Sequence, residues 1–86
     1  MVGNMRPERG VDEKLNKVGK VSVFGAGRTG RSVAEVLSGM GLEIFVTESS
    51  CLPRDVEIRF RELDVDYEQG GHTESALEAD LIVLSP

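Results

Sequence analysis

The spacing of apolar residues changes several times along this chain of 86 residues, and each change marks an element. Val21-Ser22-Val23-Phe24 is a short β-rich run that stops at Gly25, the pattern of a strand. From Arg28 the period becomes helical: Val33, Val36, Leu37 and Met40 fall at i, i+3, i+4 and i+7 and predict a single apolar face. Gly39 and Gly41 end that helix. Ile44-Phe45-Val46 predicts a second strand, closed by Thr47-Glu48-Ser49-Ser50. Pro53 suits the first turn of a second helix, where its missing N–H costs nothing, and Val56, Phe60 and Leu63 supply that helix's stripe. The stretch Asp64–Glu68 alternates polar with apolar residues, as a half-exposed strand does. Gly70-Gly71 turns the chain, and Thr73 is placed to cap a short helix over Glu74–Glu78. Leu81-Ile82-Val83-Leu84 is an unbroken apolar run of the kind buried on both faces of a parallel sheet.

Strands that alternate with helices predict an α/β fold: a Rossmann-like parallel sheet flanked by helices and joined by right-handed crossovers. The alternating third strand suits an edge and the continuous fourth suits the interior, which gives the strand order 3-2-1-4. In that order the fourth strand needs a neighbour beyond it. The chain stops at Pro86, so the expectation is a domain over residues 20–86 truncated before a fifth strand. Residues 1–19 are charged, contain Pro7 and Gly10, and read as a flexible N-terminal extension.

Composition narrows the possible roles. No apolar stretch approaches the roughly 18 residues of a membrane span, and the first twenty residues have no signal-type apolar region. The single cysteine, Cys51, forms neither an internal disulfide nor a CxxC pair, which fits a reducing compartment and a cytoplasmic location. A net charge of −5 argues against nucleic acid or an acidic membrane as partner. Within the folded part only Arg28 and Arg31 form a basic pair free of acids.

That pair lies in the one segment with recognisable chemistry. Gly25-Ala26-Gly27-Arg28-Thr29-Gly30 is a G-x-G-x-x-G between a predicted strand and a predicted helix, the context that gives this short pattern meaning. Gly25 permits a tight turn, Gly27 lets a diphosphate approach the backbone, and Gly30 lets the helix pack close to the strand. Free N–H groups and the positive end of the helix dipole attract the anion. Glu48 follows Gly30 by 18 residues, where an acid commonly accepts hydrogen bonds from ribose hydroxyls. The plainer alternatives are a glycine turn that binds nothing and a solvated acid at a strand end. Arg28 is a candidate phosphate partner, whereas Arg31 reads as a solvent-facing helix charge. His72 has no companion at metal-ligand spacing and reads as a loop residue, Cys51 has no adjacent base, and no catalytic residue or metal site is assigned.

Gly-Ala-Gly-Arg-Thr-Gly-Arg-Ser after a strand, a second strand ending in an acid, Gly-Gly-His-Thr and the terminal Ala-Asp-Leu-Ile-Val-Leu-Ser-Pro together resemble the N-terminal domain of the Mur ligases of peptidoglycan synthesis. The resemblance runs over residues 20–86 and is nearest to the branch that adds D-glutamate to UDP-N-acetylmuramoyl-L-alanine. It implies that the domain holds the UDP part of that substrate, with the diphosphate on the loop of Gly25, Gly27 and Gly30. Arg28 and Thr29 would lie by the diphosphate and the muramoyl sugar, Glu48 and Ser49 by the uridine, and Ser85 and Pro86 would form another wall. Glu48 stands where the family often has an aspartate. The resemblance also implies that this chain alone carries no cofactor and no activity, because ATP and magnesium are held by later domains of the same protein. Two other classes remain open: an NAD-binding dehydrogenase domain, which the glutamate suits equally, and a regulatory nucleotide-binding domain of a potassium transport system, whose Gly-x-Gly-Arg-x-Gly is similar. The Ser-Pro ending and the Gly-Gly-His-Thr turn favour the ligase.

Overall fold

Parallel pairing of the first strand on both sides organises the computed structural model, which describes residues 18–85. Strand β1 (Lys20–Phe24) lies between β2 (Glu43–Glu48) and β4 (Leu81–Leu84), and β3 (Asp66–Gln69) flanks β2, so the order is the expected 3-2-1-4. Helix α1 (Arg28–Gly39) joins β1 to β2, and α2 (Arg54–Glu62) joins β2 to β3. The short helix expected over Glu74–Glu78 is a single 3₁₀ turn, Glu74–Leu77. Most of the expected extension and Pro86 lie outside the described residues; Val18 packs against the core and the Gly19 carbonyl accepts the Glu43 N–H at 3.0 Å.

Side chains alternate along a strand, so Val21 and Val23 share one face with their register partners Ile44 and Val46. With Val65, Ala34 of α1, and Val56 and Phe60 of α2 they form the main apolar cluster. Tyr67 of β3 packs there, its ring centroid 5.7 Å from that of Phe60 and its hydroxyl donating to Glu57 at 2.8 Å. The opposite face carries Ser22, Phe24, Phe45 and Thr47, and the 3₁₀ turn packs against β1 and β2 with Ala76 fully buried. Ser22 and Thr47 are fully buried too; Thr47 is paired, while the Ser22 hydroxyl has no partner among the described residues.

Three expectations need correction. The buried face of α1 is built on Gly30 and Ala34, with Val33 and Leu37 partly buried, while Val36 is 64% exposed and Met40 53%. Gly30 and Ala34 are small and let the helix lie close to the sheet, which turns Val36, on the far side from Ala34, toward solvent. Strand β4 is not buried on both faces: Leu81 and Ile82 are exposed and Leu84 is 76% exposed. Among the described residues β4 pairs with β1 alone at the sheet edge, and its side-chain faces are left largely uncovered. The third strand starts at Asp66 rather than Asp64, because Asp64 has a left-handed φ of 60° and closes the end of α2, its N–H donating to the Arg61 carbonyl at 3.1 Å.

A clasp ties the two ends of the described chain. One Asp80 carboxylate oxygen accepts the N–H groups of Gly19 (2.8 Å) and Lys20 (3.0 Å), and the Asp80 N–H donates to the Lys20 carbonyl at 2.9 Å. The Gly19 bond, then the Lys20 bond, hold this carboxyl below the usual aspartate range. A lowered folded-state value means that the clasp stabilises fully above the ordinary aspartate range and is lost as the pH falls through the folded value. Asp80→Ala is therefore expected to melt at a lower temperature than the unsubstituted protein near neutral pH, with the gap closing in acid; thermal melts across pH check this.

Candidate functional site

The glycine loop sits at the C-terminal end of β1, between the ends of its two neighbours. The Gly25 N–H donates to the Thr47 carbonyl of β2 at 2.9 Å, and the Ser85 N–H following β4 donates to the Phe24 carbonyl at 2.9 Å. Gly25 has a φ of 101°, a conformation that side chains resist, and a Cβ there would lie 3.4 Å from that of Ser85. At Gly30 a Cβ would lie 1.9 Å from the Gly25 carbonyl oxygen. Gly27 differs: its φ is −71°, and nothing lies within 4 Å of an added Cβ. Gly25 thus makes the turn, Gly30 permits close packing, and Gly27 keeps the outer surface of the loop open.

Gly27 is also the residue that starts α1. The first intrahelical bond is Arg31 N–H to the Gly27 carbonyl at 2.9 Å, so the N–H groups from Gly27 to Gly30 have no intrahelical acceptor. No side chain caps them and no acid stands in the first turn, whereas α2 carries Asp55 and Glu57 there. Arg28 and Thr29 are exposed at this end. Arg31, expected to face solvent, is half-buried, and its Nε donates to the Gly27 carbonyl at 3.4 Å. The result is an open helix start with positive dipole and cationic side chains, an arrangement chemically suited to receiving an anion.

Glu48 has a role the spacing did not reveal. Its Oε1 accepts the Ala26 N–H at 2.6 Å and its Oε2 the Ser50 N–H at 2.9 Å. The Ala26 bond, then the Ser50 bond, hold this carboxyl below the usual glutamate range against the opposing effect of burial, and His72 nearby adds to it. The acid therefore pins the glycine loop to the end of β2, and each oxygen keeps a lone pair for a further donor. Ser49 beside it is exposed, and Ser85 is half-buried against Gly25 and Gly30. The fold brings the proposed residues to one edge of the sheet, with Pro86 lying outside the described residues.

The sequence reading missed a neighbouring cluster. The Thr47 hydroxyl bonds Glu68 and His72, and the Thr73 N–H and hydroxyl both donate to Glu68. Thr73 occupies the capping position of the 3₁₀ turn, yet its side chain makes no cap bond. The alternation in Asp64–Glu68 put Glu68 on a polar face; nothing local showed that Thr47 would face it. Among the described residues no three His, Cys, Asp or Glu side chains gather to hold a metal ion, and no helix is long and apolar enough to cross a membrane.

Comparison with known proteins now decides the family. Residues 20–86 match the sequence profile of the MurD N-terminal domain. The chain belongs to this family. The UDP-N-acetylmuramoylalanine--D-glutamate ligase of Salinibacter ruber is 42% identical over 67 residues, 78% of this chain and 15% of that protein. The enzyme of the same name from Thermotoga maritima is 34% identical over 68 residues, 78% of this chain and 16% of its own. The MurD-type domain described here thus spans about 15% of the length of the curated relatives it matches. Among solved structures, an engineered water-forming NADPH oxidase bound to NADPH superposes with a TM-score of 0.71 at 22% identity, covering 90% of this chain and 23% of that one. An NAD-dependent persulfide reductase from A. fulgidus gives 0.65 at 23% identity, with 93% and 20% covered. These likenesses establish the Rossmann-like fold alone.

The different jobs of the glycines in this MurD-type loop separate in stability measurements. Gly27→Val is expected to cost at most about 1 kcal/mol, the penalty of a poorer helix start. Gly30→Ala is expected to cost about 3 kcal/mol despite alanine's better helix propensity, because the loop backbone must move. Urea unfolding of the two variants checks the order.

Proposed function

We propose that this domain binds the UDP moiety of UDP-N-acetylmuramoyl-L-alanine, as the substrate-holding part of a D-glutamate-adding ligase of peptidoglycan synthesis. The observation that carries the reading is the uncapped start of α1 beside the open space at Gly27, in a chain of the MurD N-terminal domain family. With the Ala26 N–H already taken by Glu48, a diphosphate would be received by the N–H groups from Gly27 to Gly30, with Arg28 adding charge and the Thr29 hydroxyl a further donor. Glu48 and Ser49 would meet the nucleoside, and Ser85 and Pro86 would close the opposite wall. The loop has no lysine of the ATP-binding type, so ATP and magnesium are assigned to further domains of the same protein, and this chain alone should release no phosphate from ATP. The proposed setting is cytoplasmic, with a UDP-linked small molecule as the partner.

An NAD-binding domain would use the same loop and acid. The likeness to nicotinamide-nucleotide enzymes extends to the fold only, whereas the ligase relatives share up to 42% of the aligned residues, and this favours the uridine nucleotide. Titration calorimetry at equal concentrations is expected to give tighter binding of UDP or UDP-N-acetylmuramoyl-L-alanine than of NAD or ADP-ribose; the reverse order would sink the reading.

The double role of Glu48 makes a second prediction. Glu48→Ala frees the loop and removes an acceptor, so it is expected to weaken both pyrophosphate and UDP. The loss should be greater for UDP, by roughly 1.5–3 kcal/mol for a charged acceptor. Equal weakening would confine Glu48 to holding the loop.

A further inference from the structure

The cluster beside the glycine loop fixes the position of a proton. Thr47 is fully buried, and its hydroxyl lies 2.6 Å from Glu68 Oε2 and within hydrogen-bond distance of His72 Nδ1. Glu68 also accepts the Thr73 N–H at 2.9 Å and the Thr73 hydroxyl at 2.6 Å. Burial opposes the charge of Glu68, but the bonds from Thr47 and Thr73, with His72 nearby, outweigh it and hold the carboxyl below the usual range. An ionised Glu68 only accepts, so the single Thr47 proton points to it. The contact between Thr47 and His72 then has one direction left: Nδ1 carries a proton and donates it to the Thr47 oxygen. The relay reads His72 Nδ1–H to Thr47 O–H to Glu68, and the ring rests against Phe24 with centroids 5.1 Å apart.

The same stretch of β2 sets the glycine loop. The Thr47 carbonyl accepts the Gly25 N–H at 2.9 Å, and the next residue, Glu48, accepts the Ala26 N–H through its side chain. The Glu48 carbonyl in turn accepts the Gly71 N–H, at 3.3 Å, from the turn that presents His72. Gly25 and Ala26 are thus registered on two adjacent residues of β2, the first of which, Thr47, carries the relay on its side chain.

We propose that His72 is a positioning residue of the anion seat: in its Nδ1–H form it holds Thr47, and through Thr47 the end of β2 on which the glycine loop is set. The proposal rests on the reading of that loop as a ligand seat. His72 touches no ligand in this account. It acts through Thr47, and the bond at Nδ1 selects which nitrogen keeps the proton.

Two measurements test it. Nitrogen-15 spectra of the ligand-free, unsubstituted protein, recorded at a pH where the ring is neutral, should show the proton on Nδ1. A proton on Nε2 overturns the relay whatever any variant does. In binding, His72→Leu should weaken both UDP and inorganic pyrophosphate by about five- to tenfold, the loss of one net hydrogen bond, and should shift the amide signals of Gly25 and Ala26. His72→Asn, whose side-chain amide can donate in place of Nδ1, should restore most of both. Unchanged affinity and unchanged loop signals in His72→Leu overturn the positioning role while leaving the proposed function intact. If the unsubstituted protein binds neither UDP nor pyrophosphate, the proposed function fails and the positioning role fails with it, whereas the nitrogen spectrum still decides the tautomer on its own.

Discussion

The first turn of α1 approaches the end of β1 so closely that position 30 has no room for a side chain: an added Cβ would lie 1.9 Å from the Gly25 carbonyl oxygen. This approach sets the rest of the functional end. It seats Ala34 on the sheet one turn later, aims the start of the helix outward beside Gly27, and brings Ser85 against the same two glycines. A larger residue at position 30 would push the helix away and move the open N–H groups relative to the ends of β2 and β4. The seating of α1 on the sheet and the shape of the proposed anion seat therefore both depend on one contact.

Acidic residues do unusual work in a chain whose net charge is −5. Glu48 accepts from Ala26 and Ser50, Glu68 from Thr47 and Thr73, and Asp80 from Gly19 and Lys20. Glu48 and Asp80 tie down N–H groups beside strand ends, where the ladder no longer supplies acceptors, and Glu68 gathers two hydroxyls and the N–H at the start of the 3₁₀ turn. The ion pairs, by contrast, join Arg59 to Glu35 at 2.9 Å and to Glu62 at 3.3 Å on the surface, where such pairs contribute little. The carboxylates act mainly as acceptors that complete the backbone, and two of them do so at the edge where the ligand is proposed to bind.

Membership of the MurD N-terminal domain family and the geometry of the loop support the proposed function from two directions. The family match rests on residue identities along the chain, while the seat rests on an uncapped helix start and a clear space at Gly27. A fold shared with nicotinamide-nucleotide enzymes explains why the loop and a following acid alone left the nucleotide open.

The sequence by itself determined the alternation of strands and helices, the order 3-2-1-4, and the place of the glycine loop between β1 and α1. Those features depend on short-range periodicity and on glycine's own conformational freedom, both visible within a few residues. It did not determine which side of α1 is buried, because hydrophobicity favoured Val36 and Met40, whereas the close approach selected the small Gly30 and Ala34. Nor did it determine how exposed β4 would be, since an apolar run looks the same whether its faces are covered or bare. The partners of the acids were hidden for a related reason: Glu48 meets Ala26 across 22 positions, Thr47 meets Glu68 across 21, and Asp80 meets Gly19 across 61. No local pattern encodes such pairings. They exist only once parallel strands bring distant backbone ends to one edge, and the direction of the hydrogen bonds there then follows from which group has a proton to give.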